Sequence, residues 1–362
     1  MPQINSDLKR ILVFRIGHLG DTIVAIPAFN SIRDAFPDAE ITLLSNSDAK
    51  NPGYVAARNV LPEKGLFDSW IVYSSGESVM ETTGMYARLL RKLRSGKFDA
   101  VFYLMTRNRT AARIKRDRMF FRAAGISEII GDRYLMNHLI DPARGHPLPT
   151  LQRESDFFLE MLADAGISAS RRFSDMRFTH SETSDGEKWL ASNCGEDYRE
   201  KRIIAIAPGS KWESKVWKEE HFVDVTSRLV GKHGVYPVVF GGPEDRPKGE
   251  RILSAIGTGS NAAGELNVRN GAAAMRHAAL FLGNDTGTMH MAAAAGAVCV
   301  AVFAAIDFPG RWYPFGEGHK VFRAAVECEG CHTPDCFNGH LCLRSVTPDE
   351  VFDACDEILS SR

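Results

Sequence analysis

The chain has 362 residues, 44% of them hydrophobic and 25% charged, with a formal net charge of −1. That length exceeds what one hydrophobic core usually supports, so two domains are expected, and the near-zero charge offers no field for broad nucleic-acid binding. No apolar run approaches the roughly 20 residues that span a bilayer, and the polar stretch Met1 to Arg10 lacks the apolar centre of a signal peptide. A cytoplasmic protein without transmembrane segments is the expectation.

In chain order, Ile11–Phe14 reads as a buried strand. The loop Arg15-Ile16-Gly17-His18-Leu19-Gly20-Asp21 follows, then a helix from about Thr22 to Ala35 with Ile23, Ile26, Phe29 and Ile32 at helical spacing. Pro27 falls near its first turn, where proline is tolerated. Glu40–Ser45 is the next strand and completes a βαβ unit. Further strands are predicted over Ser69–Tyr73, Phe98–Leu104 and Ile126–Ile130, with an amphipathic helix over Glu81–Ser95. A basic segment from Arg107 to Arg122 either faces an anionic partner or is a solvated helix face. Arg153–Ala165 is helical and stops at Gly166; the stretch Ile167 to Thr179, polar and without a period, marks the domain boundary.

The pattern then restarts. Helices are predicted over Glu182–Asn193, Lys218–Lys232, Arg246–Ile256 and Val268–His277, and strands over Arg202–Ala207, Tyr236–Phe240, Ala278–Leu282 and Val298–Phe303. Thr347-Pro348-Asp349-Glu350 opens a last helix, with Thr347 as N-cap and Glu350 completing a capping box. Strands and helices alternate through both halves. The fold class is therefore α/β: two doubly wound, Rossmann-like domains facing each other across a cleft, with ligands at the carboxyl ends of strands.

The chemistry-bearing residues all follow predicted strands. The first loop has glycines at 17 and 20 only, so it lacks the three-glycine dinucleotide fingerprint. It presents Asp21 at a helix start, where the carboxylate either caps the helix or serves as a general base. The loop Pro208 to Trp217 carries Ser210, Lys211, Lys215 and two tryptophans; a lysine there could neutralise a leaving diphosphate, and the tryptophans suggest packing or stacking. Gly241-Gly242-Pro243-Glu244 puts a carboxylate just after a strand, as ribose-binding acids are placed, though an exposed turn acid reads the same. Gly283-Asn284-Asp285-Thr286-Gly287-Thr288-Met289-His290 joins a buried strand to a helix whose N-terminus can hold a phosphate.

Four of the seven cysteines, Cys328, Cys331, Cys336 and Cys342, lie in a C-x2-C-x4-C-x5-C run. Four thiolates so close can hold zinc or iron as a structural staple, with His332 and His340 as substitute ligands; the other reading is reduced thiols or loop disulfides. An odd total without an export signal argues against a secreted disulfide scaffold.

Taken in order, these motifs, with Pro27, Ala207-Pro208-Gly209-Ser210, Lys215-Val216-Trp217 and Arg311-Trp312, resemble family 9 of the glycosyltransferases, the ADP-heptose:lipopolysaccharide heptosyltransferase family, over nearly the whole chain. The resemblance implies a GT-B fold: residues 1–175 for the acceptor, 176–346 for the nucleotide-sugar, and a helix over 347–362 that packs back toward the N-terminal domain. It implies an inverting transfer that needs no metal or other cofactor. Asp21 matches the general base, Lys215 the lysine on the donor phosphates, and Glu244 the acid at the ribose. Asp285, Thr286 and Gly287 match the groups on sugar and pyrophosphate, and Ser210, Lys211, Thr288 and His290 complete the donor side. Arg15, His18, Arg107, Arg109 and Arg113 are the acceptor-side candidates. The implied partners are an ADP-heptose-like donor and a glycan or glycolipid acceptor reached at the inner face of the cytoplasmic membrane. Two other readings are a nucleotide-sugar 2-epimerase of the same fold, which would need no acceptor, and a non-catalytic nucleotide-sugar binder, which the complete Asp21, Lys215, Glu244 and Asp285 set disfavours.

Overall fold

The computed structural model describes residues 7–48, 54–74, 79–141, 144–169 and 175–361. The polar start of the chain (1–6) and part of the expected boundary (170–174) lie outside the described residues. The chain forms two compact units, Met1–Pro142 with Glu154–Phe173, and Ala143–Arg153 with Ser174–Arg362.

The first unit runs β1 (Arg10–Phe14), α1 (Leu19–Ile23), α2 (Ile26–Ala35), β2 (Glu40–Ser47), α3 (Ala57–Val60), β3 (Ser69–Ser74), α4 (Val79–Gly96), β4 (Ala100–Tyr103), α5 (Ala111–Ala123), β5 (Glu128–Ile130), α6 (Asp132–Asn137) and α7 (Glu154–Asp164). Among the described residues its strands form one parallel sheet in the order β3-β2-β1-β4-β5. The central strands read as continuous apolar runs because helices cover both faces of such a sheet; Ile11, Leu12, Val13 and Val101 are wholly buried. The single helix expected from Thr22 is two, because Pro27 opens a new helix at Ile26.

The second unit runs α8 (His180–Cys194), β6 (Ile203–Ala207), α9 (Glu219–His233), β7 (Tyr236–Val239), α10 (Arg246–Ile256), β8 (Ser260–Asn261), α11 (Val268–Met275), β9 (Ala278–Asn284), α12 (Gly287–Ala294), β10 (Cys299–Val302), β11 (Lys320–Phe322), α13 (Leu341–Arg344) and α14 (Pro348–Ser360). Its parallel sheet has the order β11-β10-β9-β6-β7-β8, the dinucleotide-binding strand order with its reversal between β6 and β9. The segment 144–153 joins this unit through Leu148 N–H to Glu329 (2.7 Å) and Leu151 N–H to Pro309 O (2.8 Å).

α14 has the expected capping box. Its apolar stripe, Val351, Cys355, Ile358 and Leu359, packs into the core built by Trp217, Phe222 and Val225. Arg228 and Lys232 of α9 meet Asp349 (2.7 Å) and Asp356 (2.7 Å) along its edge. The helix thus helps close the second unit's own core.

Candidate functional site

In the second unit the loops after β6, β7 and β9 leave the same edge of the sheet. Ala207 lies beside Gly283 and Ile206 beside Val239 in the strand register, so the three loops emerge side by side. One side chain fixes two of them. Asn284, wholly buried, donates through Nδ2 to Pro208 O (2.9 Å) and Gly209 O (3.3 Å) and accepts at Oδ1 from Trp217 N–H (3.1 Å). Sequence reasoning placed Asn284 within a motif but gave it no role. The available signal was an amide at the end of an otherwise apolar strand, where burial demands partners.

The next residues carry charge. Asp285 is buried, and its Oδ2 pairs with Lys215 Nζ at 2.7 Å. Lys215 also stands 5.8 Å from the ring centre of Trp212. Thr286 is the N-cap of α12, yet its side chain makes no capping bond, and its Oγ1 is a buried oxygen without a protein partner among the described residues. Gly287 and Thr288 follow in the first turn, whose N–H groups have no carbonyl behind them. His290 is buried one turn further on, its ring 6.4 Å from that of Trp312. Trp312 Nε1 donates to Asp307 (2.8 Å), which also holds the buried Arg311 (2.9 Å).

On the other side, Lys211 and Glu244 face each other. Burial pulls the Lys211 ammonium below its ordinary range, and the Glu244 carboxylate opposes that shift. Ser210 Oγ accepts from Trp212 N–H (3.3 Å). Asp245, which sequence reasoning passed over, accepts from Gly242 N–H (3.0 Å) and sits against Gly209; a Cβ on Gly209 would overlap its carboxylate. Burial raises the Asp245 carboxyl, against the Gly242 hydrogen bond. The two tryptophans divide. Trp217 is core, with its Nε1 on Val346 O (3.2 Å), while Trp212 is exposed, so packing explains the first and only the second stands at the loop surface. A cavity of about 500 Å³ lies beside the start of α9, lined by Glu213, Val216 and Trp217 from the end of the loop after β6, with Lys218, His221, Lys248 and His340; Ser210, Lys211, Lys215, Glu244 and Asp285 do not line it.

In the first unit the loop after β1 is built around Asp21. This residue is third in α1, and its Oδ2 accepts from the His18 backbone N–H at 2.9 Å, so the capping reading is physically present. The carboxylate remains about one-third exposed, with Oδ1 3.5 Å from Arg15 Nη2. Gly17 (φ +140°) passes so close that a Cβ there would overlap Asp21. Tyr54 donates to Gly17 O (2.6 Å), and Gly17 N–H donates to Asn46 (3.0 Å). Burial, with Asp21 nearby, raises the Tyr54 hydroxyl to about 12, so it remains a donor at neutral pH.

Three of the acceptor-side arginine candidates, Arg15, Arg107 and Arg109, have partners within the unit. Arg15 is buried and donates to Asp21 O (2.9 Å) and Leu104 O (3.1 Å), which makes it a positioning group for Asp21 and not an open contact. Arg107 is buried against Glu154 (3.4 Å) and the Phe157 ring. Arg109 pairs with Asp117 and takes the Tyr103 hydroxyl at 3.0 Å. An arginine placed between apolar elements needs an internal carboxylate or carbonyl, and the sequence does not reveal which one has it. His18 and Arg113 are exposed, with the His18 ring 4.5 Å from Tyr54.

The cysteines are all free thiols. Cys328 Sγ accepts from Asn338 Nδ2 (3.4 Å), Cys336 Sγ from His340 N–H (3.2 Å), and Cys331 Sγ from the Thr333 hydroxyl (3.6 Å), while Cys342 is buried on α13. Among the described residues no three His, Cys, Asp or Glu side chains gather as a ligand set; burial, with Cys336 and Cys328 nearby, raises the Cys342 thiol.

Comparison with known proteins agrees with this layout. A family model, "Glycosyltransferase family 9 (heptosyltransferase)", matches residues 86–341. Lipopolysaccharide heptosyltransferase 2 of Escherichia coli K12 is 23% identical over 360 residues, covering 97% of this chain and 98% of its own. A glycosyltransferase family 9 structure from Veillonella parvula superimposes with a TM-score of 0.74 at 20% identity, covering 99% of each chain. The structure of the E. coli ADP-heptose LPS heptosyltransferase II does so with a TM-score of 0.65 at 20% identity, covering 97% of this chain and 99% of that one. The two parallel sheets are thus those of the GT-B fold, no described helix is long and apolar enough to cross a membrane, and the chain belongs to glycosyltransferase family 9, the heptosyltransferase family.

Proposed function

We propose that this glycosyltransferase moves a heptose, or a related sugar, from an ADP-linked donor to a hydroxyl of a glycolipid acceptor, with inversion at the transferred carbon and no metal ion in the chemical step. The observation that carries the reading is the Lys215–Asp285 pair at the open N-terminus of α12, beside a buried Thr286 oxygen. A diphosphate gathers negative charge as its bond to the sugar carbon stretches. An ammonium and a row of aligned N–H groups already fixed in place stabilise that charge without reorganising. Lys215 then shifts its hydrogen bonds from Asp285 to the phosphates, and Asp285 takes sugar hydroxyls. Glu244 accepts from the ribose. Asp21 takes the proton of the acceptor hydroxyl as the new bond forms. A relative described as an ADP-heptose LPS heptosyltransferase supports the choice of donor.

ADP-linked sugars should raise the melting temperature and UDP-linked sugars should not; a donor at about 100 times its Kd adds about 2.7 kcal/mol. Lys215→Met should weaken that donor effect by about ten- to a hundredfold in affinity, since hydrogen bonds to charged groups contribute about 1.5–3 kcal/mol. Equal donor affinity in Lys215→Met would remove its assigned role. An isomerised nucleotide-sugar formed from donor alone would overturn transfer as the reaction.

A further inference from the structure

The loop after β10 brings a fourth set of side chains to the sheet edge that carries the donor loops. Val302 lies beside Asn284 in the register, so this loop emerges next to the turn that presents Asp285 and Thr286. It runs through the buried Ala304, Ala305 and Ile306 to Asp307, and then to Arg311 and Trp312. The transfer chemistry assigned above gives Trp312 no part.

Yet Trp312 is held with care. Its Nε1 donates to Asp307 Oδ2 (2.8 Å), and the Arg311 guanidinium stands 4.9 Å from the centre of its ring. Asp307 is fixed in turn. It accepts from the Phe308 N–H (2.7 Å) and from Arg311 Nη1 (2.9 Å), and its carbonyl accepts from Arg323 (3.0 Å). Burial opposes its charge, but Arg311, His332 and these hydrogen bonds hold its carboxyl below the ordinary range, so it stays an acceptor for the indole at neutral pH. Trp312 nevertheless remains partly exposed, whereas Trp217, which serves packing, is only 1% exposed. Packing alone does not account for a large aromatic ring fixed at its nitrogen and left partly open.

The order of loops along the edge indicates what the ring would meet. The strands run β10, β9, β6, β7 across the sheet. In the donor reading the ribose is at Glu244, after β7, and the diphosphate is at the start of α12, after β9. A nucleotide-sugar lying along that edge carries its sugar beyond the diphosphate, away from the ribose and toward the loop after β10. On that side the His290 ring meets Trp312 edge-on at 6.4 Å. Burial raises the hydroxyl of the adjacent Tyr313, and Asp285 is near enough to add to the effect.

We infer that the indole of Trp312 is the platform on which the donor's transferred sugar rests, held in place by Asp307 and Arg311. The inference rests on the donor reading and deepens it. One face of a sugar ring presents C–H groups with slight positive charge, which lie favourably on the negative face of an indole. Arg311 takes one face of the ring, so the sugar takes the other, with its hydroxyls toward Asp285.

Equilibrium titrations of the full chain with ADP and with ADP-heptose, in the absence of acceptor, test it. Trp312→Leu should leave the Kd for ADP within about twofold of the parent's and raise that for ADP-heptose by about tenfold. Trp312→Phe keeps an aromatic face but gives up the bond to Asp307, so its ADP-heptose Kd should rise by about threefold at most. The ADP titration also reports that each variant's second unit is folded. A Trp312→Leu protein that binds both ligands like the parent, or that weakens both alike, overturns the inference: the indole would then be packing, or would serve the nucleotide. Equal losses of ADP-heptose affinity in the leucine and phenylalanine variants overturn it too, because the aromatic face would then contribute nothing. A parent that binds neither ligand refutes the donor reading itself, and the inference with it.

Discussion

Asp21→Asn is expected to lower turnover by about 10²–10⁴-fold, the usual contribution of a general base, with the donor-induced thermal shift unchanged. The asparagine is the informative substitution. Its side-chain oxygen can still accept from the His18 N–H, now held at 2.9 Å by the carboxylate, so α1 keeps its cap, and the shape beside Gly17 is unchanged. The variant loses the lone pair that takes a proton. Asp21→Ala removes cap and base together and would leave the two roles confounded. Arg15 sharpens the contrast. Its buried guanidinium donates to Asp21 O and lies 3.5 Å from Oδ1, so it holds the residue in place in both the parent and the asparagine variant. A carboxylate base suits a reaction in which the proton leaves late, after the acceptor oxygen has begun to bond to an electron-poor sugar carbon. Steady-state turnover with saturating donor and acceptor reads the effect directly. A variant as fast as the parent would reduce Asp21 to a helix cap.

The part of the fold that was legible in the sequence rests on period and punctuation. The buried runs Ile11–Phe14, Ile203–Ala207 and Ala278–Leu282 are strands because a parallel sheet covered on both faces admits only apolar residues there. The capping box at Thr347 starts α14 where it was expected. The GT-B fold and the family were legible in the order of the strand-end motifs. Pairing was not legible. β8 has two residues and β11 three, all only half-buried, too short to show a period. Arg15, Arg107 and Arg109 read as acceptor-side candidates, and their internal partners, Leu104 O, Glu154 and Asp117, were not legible because pairing is set by the fold. Trp217 read as packing or stacking and proves to pack; the sequence could not choose because its indole N–H ends on Val346 O, 129 residues away. The residues that cover the apolar stripe of α14, Trp217, Phe222 and Val225 among them, were likewise invisible: a stripe says that a helix is covered, not by what. Asp21 was legible as either cap or base, and the geometry shows the capping bond from His18 N–H.

Asn284→Leu should destabilise the second unit and abolish measurable donor binding at concentrations that saturate the parent. Three hydrogen bonds converge on this amide. Leucine keeps the branched outline, at a larger volume, but leaves the Trp217 N–H and the Pro208 O buried without their partner. Each orphaned group costs about 1–3 kcal/mol, so a loss of roughly 2–5 kcal/mol is expected, seen as a melting temperature lower by about 5–15 °C. The donor loss has a separate cause: the loop of Lys211 and Lys215 would no longer be tied to the strand that presents Asp285. Asn284→Asp separates hydrogen bonding from volume. The carboxylate keeps an acceptor for the Trp217 N–H, but its second oxygen then faces two carbonyl oxygens. Burial and that repulsion raise the pKa of the new acid above its unfolded value. The unfolded state therefore holds fewer protons than the folded one over the window between the two values, and stability relative to the parent should improve as the pH falls through that window. Once protonated, the acid donates one hydrogen bond to Pro208 O and recovers part of what the amide gave. Melting curves of parent and Asn284→Asp across mildly acidic to neutral pH decide the matter: the gap between them should narrow toward acid, and a gap that stays constant would mean that Asn284 acts through packing and not through its hydrogen bonds.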